Sequence, residues 1–206
     1  MKRRAMLRLA AAAAGALALG ACSGGLRSNA PAVQAWRLDP PAAAAPATGA
    51  GIAATLRVLW PLAAPGLDSE RIALLHSDRT LDYYAANRWT GRVPEMVQAL
   101  ALDTLRAAGA YRAVQPEGAP FSYDETLQIE VRDFQAEYAA ADAPVARVTL
   151  VCTLGRRSDR AVLATFTLAG SAAAADNRMR AIVAAFDAAL DAALAGMPQR
   201  LAAAPR

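Results

Sequence analysis

The chain has 206 residues, of which 55% are hydrophobic and 19% are charged, with two cysteines and a formal net charge of +4. This length and apolar content suffice for a sizeable core and exclude an intrinsically disordered chain, and two cysteines cannot form the disulfide framework of a small secreted miniprotein. The net positive charge raises the question of nucleic acid, and the answer depends on where the basic residues lie.

Residues 1–21 have the layout of a secretory signal peptide, which the mature protein lacks. An uncharged apolar run of 11 residues follows a basic start, and it is shorter than the roughly 20 residues that span a bilayer. The basic residues of this segment are Lys2, Arg3, Arg4 and Arg8. After their removal 18 basic and 18 acidic residues remain. The mature chain is therefore neutral, which predicts that it has no nucleic-acid partner.

Four residues at the end of the signal resemble the lipobox of bacterial lipoproteins: Leu19, Gly20, Ala21 and Cys22. The small residues let the signal peptidase thread the backbone through a narrow cleft, and the cysteine thiol receives the diacylglyceryl group. Each buried methylene contributes roughly 0.8 kcal/mol, so several acyl chains on Cys22 would anchor the protein to a membrane without a transmembrane helix. The alternatives are a chance cysteine after an ordinary cleavage site and a short uncleaved anchor.

The rest of the chain divides into a tether, a domain and a tail. Residues 22–34 are small, polar and interrupted by Gly and Pro, which predicts a lipidated flexible tether. A single globular domain is expected over 35–197, with a loose Pro/Ala/Gly connection at 39–53, and a tail over 198–206. Ser23 follows the lipidated cysteine. In the sorting scheme of enterobacterial lipoproteins, Ser at this position favours the periplasmic leaflet of the outer membrane over that of the inner membrane.

Apolar and polar residues alternate in several segments, which predicts strands. In chain order these segments are residues 36–38, 55–60, 71–75, 80–84, 111–114, 126–131, 147–154 and 161–168. Polar turns at 76–79 and 155–160 predict two hairpins. The expected fold class is α+β, with a mixed sheet of about five to seven strands packed against two main helices.

The two main helices are predicted in the middle of the chain and at its C-terminus. Pro94 suits the first turn of a helix and Gly109 a helix end, and apolar residues recur between them at helical spacing. Residues 177–197 carry a second apolar stripe, and Pro198 is expected to stop that helix.

No motif of a common enzyme class is found in the sequence. It contains no Gly-x-Ser-x-Gly elbow and no phosphate-binding loop, and the mature chain has no lysine. His76 is interpreted as a solvated turn residue and Cys152 as a buried small hydrophobe. We therefore predict no catalytic residues, no metal and no cofactor. Scattered carboxylates keep a two-carboxylate hydrolase open as an alternative.

The most distinctive stretch of the mature domain is aromatic. Tyr83, Tyr84, Arg88 and Trp89 lie close together in it, and such side chains are enriched at protein interfaces. We predict a partner or ligand interface here; the alternative is core packing with one or two rings at an interface.

Several features in order resemble the auxiliary lipoproteins of ABC-type, MCE-associated transport systems, the group that includes the Pqi lipoprotein. Trp36 stands where that family usually has Tyr or Phe. The resemblance spans roughly residues 22–197 and is most specific in its middle blocks. The residues that carry it are Cys22; Trp36, Arg37 and Leu38; Leu56, Arg57 and Val58; residues 64–72; residues 81–84; and Arg88 and Trp89.

The resemblance implies a lipid-anchored periplasmic subunit that does not hydrolyse ATP. Its system would move phospholipids or other hydrophobic compounds between the inner and outer membranes. The partners it implies are the membrane, through the lipid on Cys22, and an MCE-type transporter subunit; self-association stays open. Two other hypotheses are a structural envelope-assembly lipoprotein without a transport role and a lipid-anchored hydrolase.

Overall fold

The computed structural model describes residues 32–40, 51–139 and 143–206, and the fold is that of the unit Val33–Arg206. The described residues form nine strands and three helices. In chain order these are β1 (Gln34–Trp36), β2 (Ile52–Val58), β3 (Leu62–Ala63), β4 (Arg71–Leu75), β5 (Leu81–Trp89), α1 (Val93–Ala108), β6 (Tyr111–Pro116), β7 (Glu125–Glu137), β8 (Val145–Arg156), β9 (Val162–Ala173), α2 (Met179–Ala195) and α3 (Met197–Ala202).

The sheet is built around β7, whose 13 residues make it the longest strand. One edge of β7 pairs with β8 in antiparallel orientation along its whole length. The other edge pairs in succession with the short parallel strands β2, β3 and β4. The strand predicted at 126–131 therefore continues to Glu137, past a bulge between Val131 and Asp133 that interrupts the alternation.

The remaining strands extend this sheet on both sides. β6 pairs parallel with β2, β5 antiparallel with β4, and β1 parallel with β5. β9 completes the β8–β9 hairpin. Both predicted hairpins and the mixed α+β class are thus confirmed. The sheet has nine strands, more than the expected five to seven. Strand β3 has no counterpart among the predicted segments because its two residues are too few to show any periodicity.

Two differences concern the N-terminal part of the domain. The first strand was predicted at 36–38 but lies at Gln34–Trp36, where pairing with β5 sets its position; Leu38 instead packs into the core with 4% of its surface exposed. The predicted loose connection at 39–53 ends earlier, because β2 begins at Ile52. Residues 41–50 of that connection lie outside the described residues.

The mid-chain helix α1 follows its predicted signals. Pro94 lies in the first turn, and Gly109 after the last turn has φ 60°, the left-handed conformation that glycine adopts without steric cost. The buried face includes Val97, Leu100 and Leu105. These residues recur three to five positions apart, so one stripe of the helix faces the sheet.

The C-terminal region differs from its prediction at Pro198. Helix α2 ends at Ala195, and Pro198 lies in the first turn of the short helix α3 rather than terminating the chain's helical structure. The first turn of a helix tolerates proline because its N–H has no partner there. The 24-residue segment Met179–Ala202 is long and apolar enough to cross a membrane by composition. Its apolar side chains, including Phe186 and Leu190, are instead buried in the domain core.

Residues 198–206, predicted as a tail, are packed into the domain. Nε of Arg206 donates to Glu125 Oε1 at 3.1 Å, and its Nη2 donates to the Tyr111 hydroxyl at 3.0 Å. The Tyr111 hydroxyl donates to Glu125 Oε2 at 2.8 Å. Burial and the Glu125 carboxylate raise the pKa of Tyr111. A buried carboxylate without a partner is costly, so Arg206 fixes the C-terminal residues beside the start of β7.

Candidate partner interface on strand β5

The predicted anchor lies outside the described part of the chain. Leu19, Gly20, Ala21 and Cys22 all fall within residues 1–31. Their assignment as a lipobox stays a prediction from the sequence. The predicted interface residues, in contrast, all lie on the described strand β5.

Strand β5 does not alternate regularly along its length. Arg71 of β4 pairs with Arg88, whereas Ala73 pairs with Tyr83, so β5 holds extra residues opposite Ile72. Ala86 within this bulge has φ 55°. Because a bulge changes which side of the sheet the later residues face, the four predicted residues cannot be assigned to faces by counting along the sequence.

Tyr83 belongs to a half-exposed cluster at the sheet surface. Its hydroxyl donates to the carbonyl oxygen of Gly66 at 3.0 Å. The guanidinium carbon of Arg71 lies 3.5 Å from the centre of the Tyr83 ring, within the range of a cation–π contact. The ring is thus held between a loop and a cation and presents a fixed surface.

Arg88 lies beside this cluster as one half of an exposed ion pair. Its Nη1 donates to Glu70 Oε2 at 2.8 Å, and the side chains are 53% and 44% exposed. A second exposed pair, Asp68 with Arg92, lies nearby in the chain. Exposed pairs stabilise a fold by about 0–1 kcal/mol, so these charges are available to a partner at little cost to stability.

Tyr84 is turned to a different set of contacts. Its hydroxyl donates to the Tyr138 hydroxyl at 3.0 Å, which donates to Asn177 Oδ1 at 2.6 Å. Burial, followed by the hydrogen bond to Tyr138, raises the pKa of Tyr84. This half-buried chain of hydrogen bonds joins β5 to the end of β7 and to the residues before α2.

Trp89 is a core residue in this structure, with none of its surface exposed. Its ring meets Phe134 edge-on at 6.0 Å and Phe186 edge-on at 5.2 Å. Its Nε1 has no hydrogen-bond partner among the described residues. Trp89 therefore joins β5 to β7 and α2 and offers no surface to a partner. The interface prediction therefore rests on Tyr83 and Arg88. Glu70 and Arg71 lie beside them, and sequence reasoning missed these two residues because only strand pairing brings them to this surface.

His76 and Cys152 lie in different environments, the first exposed and the second buried. Cys152 is buried and free, and burial raises the pKa of its thiol to about 12, far above that of a reactive cysteine. His76 is exposed, with its ring stacked 6.4 Å from that of Tyr138. Within residues 32–40, 51–139 and 143–206 no three His, Cys, Asp or Glu side chains cluster as metal ligands.

Comparison with solved structures shows which proteins share this fold. Protein XCC0632 from Xanthomonas campestris, of family DUF330, is similar with a TM-score of 0.74 at 23% identity, covering 82% of this chain and 95% of that one. Hypothetical protein CT253 from Chlamydia trachomatis has a TM-score of 0.51 at 7% identity, covering 73% and 99% of the two chains. At these identities the similarity concerns the fold alone.

Comparison of the sequence gives the family. No curated protein matches this chain at a significant level. Residues 36–197 match the family described as "ABC-type transport auxiliary lipoprotein component". The matched span runs from the last residue of β1 to the first residue of α3 and so includes strands β2 to β9 and both main helices. This chain therefore belongs to the ABC-type transport auxiliary lipoprotein family.

Proposed function

We propose that the protein is a lipid-anchored periplasmic accessory subunit of an ABC/MCE-type transport system. The system would move phospholipids or other hydrophobic compounds between the inner and outer membranes. The observation that carries this proposal is the match to the auxiliary lipoprotein family over residues 36–197, preceded by a lipobox-like sequence that ends in Cys22. Lipid on Cys22 would hold the domain at the periplasmic leaflet of the outer membrane.

The described start of the domain is compatible with such a tether. Strand β1 lies at the border of the sheet on β5, and the Asp39 N–H donates to Asp187 Oδ1 of α2 at 2.9 Å. Desolvation raises the pKa of Asp187 to about 6. The described N-terminal residues therefore join the domain next to the proposed β5 interface.

The Cys22→Ser variant tests the anchor. Serine cannot accept the diacylglyceryl group by thioether formation, so the variant should lose the lipid and remain uncleaved by the lipoprotein signal peptidase. Metabolic labelling with a palmitate analogue, membrane fractionation and globomycin treatment of cells measure these effects. Unchanged labelling and unchanged globomycin sensitivity would show that Cys22 is not the lipidated residue.

The Arg88→Glu variant tests the partner surface. Charge reversal should remove the Glu70 pair and weaken recovery of an MCE-type subunit in co-purification at native expression, with a stability change of at most about 1 kcal/mol. Arg132→Glu is the matched control, because Arg132 pairs with Glu130 at 3.2 Å with comparable exposures of 56% and 44%. Equal recovery of the subunit with both variants would exclude the β5 surface. Purification of the wild-type protein without any transport subunit would contradict the transport role.

Among the three border strands of the described sheet, β1, β6 and β9, the long edge of β9 is suited to self-association. Among the described residues the 12-residue strand β9 pairs only with β8, and its sequence has neither a charged residue nor proline. Natural edge strands usually carry such residues to prevent pairing with another chain. A second copy could therefore add at this edge, and sedimentation of the detergent-solubilised lipoprotein measures the resulting mass.

The alternative functions make different predictions. A structural envelope-assembly lipoprotein would keep its anchor but would not co-purify with transport subunits, and its gene would stand apart from MCE and permease genes. A lipid-anchored hydrolase would turn over esterase or glycosidase substrates. The proposed role is non-catalytic, and the description of the family as an auxiliary component of transport favours it.

A further inference from the structure

Two adjoining cavities lie at one end of the sheet, where β7 begins and the β8–β9 turn approaches it. Their volumes are about 600 Å³ and 400 Å³. Both are lined by Tyr123, Arg156 and Arg157. Arg206 and Ser158 line the larger one, and Arg160 lines the smaller one. None of these residues belongs to the β5 surface.

The cavities carry an excess of positive charge in a domain whose predicted mature charge is zero. Three arginines here are paired with carboxylates: Arg206 with Glu125, Arg156 with Asp159, and Arg112 with Asp124, at 3.1, 2.9 and 3.3 Å. Three more have no ion-pair partner among the described carboxylates: Arg57, Arg157 and Arg160. Four of these arginines line the cavities together with two carboxylates, Asp124 and Glu125, while Arg57 and Arg112 contact lining residues from outside.

Two of the uncompensated arginines are positioned by Tyr123. The guanidinium carbons of Arg57 and Arg157 lie 3.8 Å and 4.8 Å from the centre of its ring. Arg57 Nη2 also donates to the carbonyl oxygens of Ala119 and Phe121, both at 2.8 Å. The positive charges are thus held in place before any ligand binds, which reduces the entropic cost of binding.

The β8–β9 turn is anchored to the same place. The Arg157 N–H donates to the Asp124 carbonyl oxygen at 2.9 Å, and the Arg156 N–H donates to the Ala161 carbonyl oxygen at 2.8 Å. Arg160 in this turn has φ 60°, a conformation that glycine adopts without steric cost and arginine does not. The turn therefore holds a guanidinium at a position where the backbone alone would favour glycine.

We propose that these cavities form a binding site for a phosphate-ester anion. Guanidinium groups bind phosphate oxygens through paired hydrogen bonds, and they do so more strongly where no carboxylate competes. Arg157 and Arg160 supply guanidinium groups without a described carboxylate partner, and Nη1 of Arg157 donates to the Tyr123 carbonyl oxygen at 3.4 Å. Ser158 supplies a hydroxyl, and Arg57 adds a fixed charge behind the Tyr123 ring. The larger cavity exceeds the volume of inorganic phosphate, so it accommodates an organic substituent on the phosphate. The site is separate from the proposed partner surface and does not depend on it.

Calorimetric titration of the purified full-length lipoprotein in dodecyl maltoside tests this site. The probes are inorganic phosphate, glycerol 3-phosphate and short-chain phosphatidylglycerol. We expect saturable binding of the phosphate esters that weakens as salt increases. Tighter binding of phosphatidylglycerol would assign the site to a lipid headgroup, whereas equal binding of glycerol 3-phosphate would assign it to a soluble phosphate ester. Absence of binding by both esters at millimolar concentration would overturn the proposal.

The chain offers a matched pair of variants. Arg160→Gly should weaken binding roughly fivefold to tenfold, as expected for loss of a charged hydrogen bond, while its unfolding temperature stays the same or rises. Arg79→Gly is the control, because Arg79 has φ 69° in the β4–β5 turn and that turn lies at the other end of β7. Equal weakening by both variants would show that only the overall charge matters and would overturn the site. Co-purification of transport subunits with Arg160→Gly separates a failure here from a failure of the proposed function.

Discussion

Substitution of Gly170 by alanine should destabilise the protein by about 3 kcal/mol, at the upper end of the range for overpacked cores. A Cβ at this position of β9 would lie 2.0 Å from the carbonyl oxygen of Ala189 and 2.9 Å from the backbone nitrogen of Ala193. Both atoms belong to the backbone of α2 and cannot move aside as a side chain can. The helix would have to shift away from the sheet and lose contacts along its buried face. Urea denaturation followed by far-UV circular dichroism measures this change.

Gly118→Ala is the matched control for this prediction. A Cβ at Gly118 would meet no atom within 4 Å, so the change in the free energy of unfolding should stay within about 0.5 kcal/mol. Near-native stability of Gly170→Ala would mean that α2 packs on β9 less closely than these distances indicate. Equal destabilisation by both substitutions would show that the loss at Gly170 does not arise from the close approach of α2.

Trp89→Ala should cost about 3–5 kcal/mol, as is typical when a fully buried aromatic side chain is removed from a core. Trp89 is enclosed by Phe134 and Phe186, which also stack on each other at 5.2 Å. The cavity left by its ring would lie at the meeting point of β5, β7 and α2. Thermal unfolding of the full-length lipoprotein in detergent measures the loss.

Trp89→Phe separates a core role from an interface role. Phenylalanine retains most of the ring packing and removes an indole N–H that has no partner among the described residues. Trp89→Phe should therefore lower the free energy of unfolding by less than half as much as Trp89→Ala. Partner recovery with Trp89→Phe should equal that of the wild type, while Arg88→Glu lowers it. Native stability of Trp89→Ala combined with lost partner recovery would instead place Trp89 at the interface.

Local signals were sufficient for helix α1 and for the two hairpins. Pro94 and Gly109 bounded α1 because their backbone preferences act within one or two residues, whatever the rest of the chain does. The same signal failed at Pro198, since proline is compatible both with the end of one helix and with the first turn of the next. Only the packing of α3, with Leu201 fully buried, decides between them.

The exposure of the predicted interface residues could not be predicted from the sequence. Tyr83 and Trp89 are six positions apart, and regular alternation would place their side chains on one face of a strand. The bulge around Ala86 changes this relation, so that Tyr83 is half-exposed while Trp89 is buried. A bulge depends on the pairing of β5 with β4, which no property of β5 alone specifies.

The sequence by itself determined the family, and it predicted the lipid anchor at Cys22 and a neutral mature chain, because motifs and charges are read directly from consecutive residues. Tertiary structure alone decided which residues meet. Three short strands share one edge of β7, and Arg57, Tyr123 and Arg157 converge from positions far apart in the chain. Such contacts arise from strand pairing between distant segments, and local propensity and periodicity carry no information about that pairing.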